Sequence, residues 1–171
     1  MGFISDIFGN NSNEKKDIQN IPTRMPIGAI EELKAGILPI MNTSKLLLKH
    51  NEVCHYVESG ILVTEKIVKH TEGATKGFSF RVCKGVTYRI GSFKGIPVEK
   101  VSEELTKGVL YITNKRIVFV ANKNSFDKKH SYLTSTEAND CELKLQYGNK
   151  VFKIFLPDGV LANNVIYLIN K

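Results

Sequence analysis

Three pairs of short runs with alternating apolar and polar residues constrain this chain more than any other feature of its sequence. Each pair brackets a turn of two residues, a pattern typical of antiparallel β-hairpins. The pairs span residues 77–90, 108–120 and 141–156, with turns at Lys84-Gly85, Asn114-Lys115 and Gly148-Asn149. The sequence therefore predicts an antiparallel sheet built from hairpins.

Strands outside these pairs and a closing helix complete the prediction. One strand is expected from about residue 52 to 68 and another over 129–134, whereas 91–104 is predicted to be mostly loop. After Asp158, a suitable helix N-cap, apolar residues recur every three or four positions to residue 169. The predicted fold class is mainly β (α+β): a bent antiparallel β-sandwich of about seven strands capped by a C-terminal α-helix.

The chain is predicted to divide into an N-terminal extension, residues 1–45, and a domain, residues 46–171. In the extension, 9–24 is polar enough for a linker and 27–35 has the apolar spacing of a short helix that ends at Gly36. At the start, four apolar residues share one face of a short helix: Phe3, Ile4, Ile7 and Phe8. We expect this face to dock on the domain or on a protein partner; membrane contact and disorder are the alternatives.

The second hairpin carries the most specific motif. Residues 106–119 read Thr-Lys-Gly-Val-Leu-Tyr-Ile-Thr-Asn-Lys-Arg-Ile-Val-Phe. Thr113 and Asn114 favour the turn through side-chain hydrogen bonds to backbone, and Lys115 with Arg116 should keep its tip soluble. This stretch resembles the signature of GRAM domains and bacterial pleckstrin-homology-like domains, and the lead-in at 48–52 resembles that of the bacterial domains. Over residues 50–171 the resemblance implies a pleckstrin-homology-like sandwich without shared catalytic residues, which binds lipids or proteins or serves in assembly.

The net charge of +7 is concentrated in two stretches. Residues 66–94 hold seven basic residues against one acidic residue, and 115–130 hold five against one. In lipid-binding pleckstrin-homology domains, cations on an early hairpin hold an inositol phosphate, and the resemblance makes Lys76, Arg81 and Lys84 their nearest counterparts. The full set of candidates for binding an anion or lipid is Lys76, Arg81, Lys84, Arg89, Lys94, Lys128 and Lys129. A solvated basic rim is the alternative interpretation.

Motifs for catalysis or cofactors are missing from the sequence. There is no phosphate loop, GxGxxG, HExxH or GxSxG, and no CxxC pair or histidine spacing suited to a metal. We therefore predict no cofactor, no metal site and no enzyme activity. The odd, widely spaced set of three cysteines favours buried thiols in a reducing cytoplasm. No apolar run approaches the ~18–20 residues that a membrane-spanning helix needs.

The predicted function is a non-enzymatic module that mediates protein–protein contacts or self-association. The alternative is peripheral binding of anionic membrane lipids through the basic rim and the apolar N-terminal segment. Nucleic acid is disfavoured, because the alternation of Phe78, Phe80 and Tyr88 suits a core face better than a stacking surface. No small-molecule substrate is evident. The expected location is cytoplasmic, or peripheral at the inner face of the membrane in the lipid-binding case.

Overall fold

A computed structural model of the chain describes residues 21–68, 78–83, 86–90 and 100–171, with side chains described for 21–65 and 103–171. The strands are β1 (Cys54–Val68), β2 (Phe78–Cys83), β3 (Val86–Ile90), β4 (Lys100–Thr113), β5 (Arg116–Ala121), β6 (Phe126–Lys129), β7 (Ser135–Asn139), β8 (Glu142–Tyr147) and β9 (Lys150–Phe155). The helices are α1 (Ile27–Lys34), a short 3-10 helix (His130–Tyr132) and α2 (Gly159–Asn170).

Seven strands form one antiparallel sheet in the order β6-β5-β4-β1-β9-β8-β7. β1 is the central strand, paired with β4 along its whole length and with β9 over Ile61–Val63. The sheet is bent. The ring of Phe126 on β6 lies 4.3 Å from that of Phe152 on β9, and strands that are not neighbours come this close only when the sheet folds over on itself. The predicted fold class is confirmed: the chain is mostly β, with a bent sheet of seven antiparallel strands and a C-terminal helix.

A pair of glycines lets the two long strands pass close to other parts of the core. Gly60 on β1 faces Gly108 on β4 in the register. A Cβ on Gly108 would lie 2.6 Å from the ring of Phe119, and one on Gly60 would lie 2.9 Å from Leu156. At Gly108 the Cβ would also lie 2.6 Å from the Val120 carbonyl oxygen, so a side chain is excluded there, whereas at Gly60 the end of the Leu156 side chain would have to shift.

Helix α2 closes one end of the sandwich. The Asp158 carboxylate accepts a hydrogen bond from the Leu161 amide at 2.7 Å, so the predicted N-cap is confirmed. Leu161, Val165 and Ile166 are buried in the main core, as the apolar spacing predicted.

The chain before β1 packs on the sheet. Met25 and Leu33 of this segment belong to the main core, and helix α1 is confirmed where the sequence predicted it. Glu58 on β1 accepts hydrogen bonds from the Thr23 hydroxyl and the Arg24 amide, both at 2.7 Å. The boundary at residue 45 stays a prediction, and Phe3, Ile4, Ile7 and Phe8 lie outside the described residues.

Two predicted details of the strands are wrong. The strand expected over 129–134 lies earlier, at β6, where Phe126 packs against Phe119 in the core, and a 3-10 helix follows it. The expected loop over 91–104 ends sooner, since β4 begins at Lys100. The sequence also gave no sign of β7, because Ser135–Asn139 is a polar edge strand with little apolar alternation.

The side hairpin β2–β3 forms where the sequence predicted a hairpin, but it is a separate two-stranded sheet and does not belong to the sandwich. It is inserted between β1 and β4, which pair with each other as far as Val68 and Lys100. The two hairpins β4–β5 and β8–β9 are confirmed within the main sheet.

Candidate functional site

A groove lies at the end of the sandwich that carries the β5–β6 and β8–β9 turns. We call it the open-end groove. Its volume is about 990 Å³, and it lies between the later part of β1, the β5–β6 turn and the β8–β9 turn. Asn124 of the β5–β6 turn donates to Thr64, Glu104 and Thr106 at 3.2–3.4 Å, which holds that turn over β1 and β4.

Charges of both signs line the open-end groove. Its lysines are Lys128, Lys144, Lys150 and Lys153, and its carboxylates are Glu65, Glu103 and Asp127. Lys144 is paired with Glu137 at 3.1 Å, and Lys153 lies 3.7 Å from Glu142. The groove is therefore polar, with only a small surplus of positive charge.

The predicted cationic candidates are only partly brought together. Lys128 lines the open-end groove and is half-buried, whereas its neighbour Lys129 is exposed and its Cα pairs with that of Arg116. In the side hairpin, the Cα of Arg81 pairs with Thr87 and that of Arg89 with Ser79, but their side chains lie outside the described part. Lys76, Lys84 and Lys94 lie outside the described residues altogether.

A second concave surface, the edge groove, lies between strand β7 and helix α2. Its volume is about 400 Å³, and its lining residues are His130, Leu133, Thr134, Ser135, Thr136, Asn163, Ile166, Tyr167 and Asn170. β7 is the last strand of the sheet and pairs with β8 alone. Its outer edge pairs with no described strand, and α2 places Ile166 and Tyr167 beside it, together with Asn163 and Asn170.

His130 gives the edge groove a polar atom without a partner. Its Nε2 lies 2.7 Å from the Thr113 carbonyl oxygen, so Nε2 carries the hydrogen and donates it. Nδ1 is then an acceptor, and it is buried without a hydrogen-bond partner among the described residues. Burial lowers the pKa of this histidine, which keeps the ring neutral.

The opposite end of the sandwich is organised around a buried ion pair. Arg116 donates to Glu52 at 2.7 Å and also bonds Asp127, and the side chain of Arg116 is only 8% exposed. The prediction that Arg116 keeps the turn soluble is thus wrong: its guanidinium is folded inward, while Lys115 is exposed as expected. The predicted turn-forming role of Thr113 is confirmed, because its hydroxyl accepts from the amides of Lys115 and Arg116.

That ion pair changes the acidity of Glu52. Burial alone would raise its pKa, but hydrogen bonds from Arg116, the Lys49 amide and Thr113 outweigh burial and lower the pKa to about 2. The carboxylate is therefore charged at any physiological pH. The acidic residue that the sequence placed just before the first strand has a structural role.

The cysteines whose side chains the structure describes, Cys54 and Cys141, are buried. Burial raises the pKa of Cys54 to about 11, so Cys54 is not suited to nucleophilic chemistry. Among the described residues, no group of three His, Cys, Asp or Glu side chains could hold a metal ion. No helix within the described part of the chain is long and apolar enough to cross a membrane.

The charge pattern singled out Lys128, which lines the open-end groove, but nothing in the sequence indicated the edge groove. Its wall on α2, including Ile166 and Tyr167, reads in the sequence as an ordinary amphipathic helix. The polar β7 gives no strand signal. Strand β7 and helix α2 are brought together only by the tertiary structure.

Comparisons with known proteins add one structural likeness. No protein-family model matches the chain, and no curated protein matches it. The chain is similar in structure to the Vps36 N-terminal PH domain, with a TM-score of 0.43 and 12% sequence identity, over 77% of this chain and 90% of that one. At this level of similarity we carry neither ligand nor partner over to this chain.

Proposed function

We propose that this chain is a non-enzymatic binding module that holds an extended segment of a protein partner in the edge groove. The observation that carries the proposal is the outer edge of β7, which pairs with no described strand and lies beside Ile166 and Tyr167 of α2. A sheet edge of this kind recruits a peptide as an added strand: main-chain hydrogen bonds supply affinity and neighbouring pockets supply specificity.

The side chains around the edge groove fit this mode of binding. Tyr167 is 66% exposed and Ile166 is buried beneath it, so a partner side chain would gain apolar contacts without unfolding α2. Tyrosine offers a large contact area at a small entropic cost, which is typical of binding surfaces.

The experiment is a selection of extended peptides from a random library on the full chain, followed by NMR titration of a selected peptide. We expect amide shifts at residues 133–139 and 163–170. Tyr167→Ala should weaken binding by about tenfold, the usual scale for loss of an aromatic anchor. The matched control is Val160→Ala, since Val160 is 44% exposed on the same helix but does not line the edge groove.

Other results would reject this function. Failure to select any peptide that binds the wild-type chain would count against it, as would amide shifts confined to the open-end groove. Equal affinity of Tyr167→Ala and Val160→Ala for the selected peptide would place the contact elsewhere.

A second candidate function is binding of an anionic headgroup in the open-end groove. Lys128 and Lys150 favour it, because both line the groove and neither makes an ion pair among the described residues. Inositol hexakisphosphate is a suitable probe in calorimetry. Lys128→Ala should weaken its binding, and Lys129→Ala should not, since Lys129 lies outside the groove. No heat of binding for the wild-type chain would reject this candidate.

The broader description stays part of the proposal. We infer a cytoplasmic location, with attachment to the inner face of the membrane if the chain binds lipid. Self-association remains an alternative form of the protein contact, since a second copy could supply the added strand. The bacterial and GRAM-like affinities of the sequence are predictions that no comparison supports.

A further inference from the structure

The loop before β1 presents leucine to solvent. We call residues 42–51 the leucine loop. The side chain of Leu47 is 92% exposed and that of Leu48 is 39% exposed, while Leu46 is half-buried against the sheet. A single exposed apolar residue is ordinary on a protein surface. A nearly fully exposed leucine beside a second one, at a loop tip that is held in place, is a feature that needs an explanation.

The leucine loop is fixed by hydrogen bonds to its own backbone. Arg116 donates to the Leu47 carbonyl oxygen at 2.9 Å, and the Glu52 carboxylate accepts from the Lys49 amide at 2.7 Å. The Thr43 hydroxyl donates to the Leu46 carbonyl oxygen at 3.0 Å. Because the buried Glu52–Arg116 pair holds the backbone on both sides, Leu47 cannot turn inward without breaking that network.

The surroundings of Leu47 are positively charged. The leucine loop contains Lys45, Lys49 and His50 and no carboxylate. The adjoining β4–β5 turn adds Lys115, whose ammonium donates to the His50 carbonyl oxygen at 2.5 Å, and the end of β6 adds Lys129. All four lysines are exposed. The carboxylates of this region, Glu52 and Asp127, are already paired with Arg116.

We infer that the leucine loop is a contact surface for an anionic lipid bilayer: Leu47 and Leu48 enter the headgroup region and the surrounding lysines meet acidic lipids. Apolar side chains flanked by lysines are the combination that holds proteins at a bilayer surface. Charge complementarity favours lipid over a protein partner, because a bilayer offers anionic and apolar groups together. The surface lies at the opposite end from the open-end groove and is independent of the peptide-binding proposal.

The absence of tryptophan from this chain makes a direct test available. Leu47→Trp places one fluorophore at the loop tip, where its exposure leaves room for the larger ring. We expect its emission to shift to shorter wavelength with vesicles of phosphatidylcholine and phosphatidylserine in equal parts, and to stay unchanged with phosphatidylcholine alone. The matched control is Val151→Trp, because Val151 is 57% exposed on the open-end groove. Its emission should not change with either vesicle.

Vesicle co-sedimentation of the full chain supplies the second measurement. Leu47→Asn should weaken binding to the anionic vesicles about tenfold, and each of Lys45→Glu and Lys49→Glu at least about fivefold. Lys123→Glu should bind as the wild type does, since Lys123 is exposed but belongs neither to the leucine loop nor to the lining of the open-end groove. Urea unfolding of each variant separates lost binding from lost folding.

Several outcomes would overturn the inference. Wild-type chain that stays in the supernatant with both vesicles rejects it. So does a spectral shift of Val151→Trp with no shift of Leu47→Trp, which would assign lipid to the open-end groove. A shift of Leu47→Trp that appears without vesicles as protein concentration rises would assign the loop to contact with a second copy.

Discussion

The two ends of the sandwich use charge in different ways. At the leucine loop, Arg116 and Glu52 are buried and hold the backbone, so that lysines and leucine are left for solvent. At the open-end groove, Lys144 and its carboxylates are paired near the surface, and the turn is held by the neutral amide of Asn124. A buried ion pair therefore holds a surface from beneath, whereas surface pairs leave a groove that solvent and ligands can enter.

The largest effect is expected from breaking the buried pair. Glu52→Gln should lower the free energy of unfolding by about 3 kcal/mol, since it leaves the 47% exposed Asp127 as the remaining carboxylate paired with the buried Arg116 charge. Urea unfolding at neutral pH measures it. Glu58→Gln is the matched control: Glu58 is also buried, but its partners are the neutral groups of Thr23, Arg24 and Ser59.

Glu58 should behave differently because its burial, which outweighs those hydrogen bonds, raises its pKa. A neutral amide there should cost about 1 kcal/mol, the value of one lost hydrogen bond. Equal losses for Glu52→Gln and Glu58→Gln would show that Arg116 does not decide the stability of the leucine-loop end.

As the pH falls, the backbone of the leucine loop should become unstable before that of the β5–β6 turn at the open-end groove. The pKa of Glu52 is lowered from 4.5 to about 2 in the folded chain, so its contribution is fully present above pH 4.5 and is lost as the pH falls toward 2. Glu58, with a raised pKa, partly offsets this loss. Hydrogen exchange at falling pH measures it: the amides of residues 47–53 should lose protection earlier than those of 122–126. Simultaneous loss would contradict the comparison.

A smaller difference in stability is expected between substitutions of two asparagines, one at each end of the sandwich. Asn51 and Asn124 both have a φ of 55°, a conformation that glycine adopts freely. Asn51→Gly should leave stability almost unchanged. Asn124→Gly should cost about 1 kcal/mol, because the amide that holds the turn to Thr106 is lost. Thermal unfolding of both variants compares them, and a greater loss at Asn51 would contradict this account.

The smallest effect concerns His130, beside the edge groove. Its pKa is lowered from 6.5 by burial, so the unfolded chain binds a proton more readily and stability falls as the pH drops below 6.5. His130→Gln can still donate to the Thr113 carbonyl and should remove this part of the pH dependence. Urea midpoints at pH 7 and pH 5 measure the difference. An unchanged pH dependence in the variant would mean that another group titrates there.

The sequence predicted what depends on local pattern. Alternation marked the hairpins β4–β5 and β8–β9, helical spacing marked α1 and α2, and Asp158 marked a cap, because each of these is set by neighbours along the chain. The polar strand β7 was not predicted, since an edge strand buries few side chains and needs little apolar alternation.

The candidate surfaces were harder to predict. Lys128 was found from charge, but a charge run does not tell which lysine faces a groove and which faces away. Arg116 was placed at a soluble tip because its sequence neighbours form a turn, whereas its buried partner Glu52 lies 64 positions earlier. The edge groove joins β7 to the far end of α2, and no local signal links them.

By itself, then, the sequence determined the class of fold, its hairpins and its closing helix, through patterns that repeat every two residues in strands and every three or four in helices. The tertiary structure alone decided which charges are buried and which edges stay open. Burial depends on contacts between residues distant in the chain, as Glu52 with Arg116 and Phe126 with Phe152 show. Those contacts place Leu47 in solvent and give the protein the surfaces from which its function is proposed.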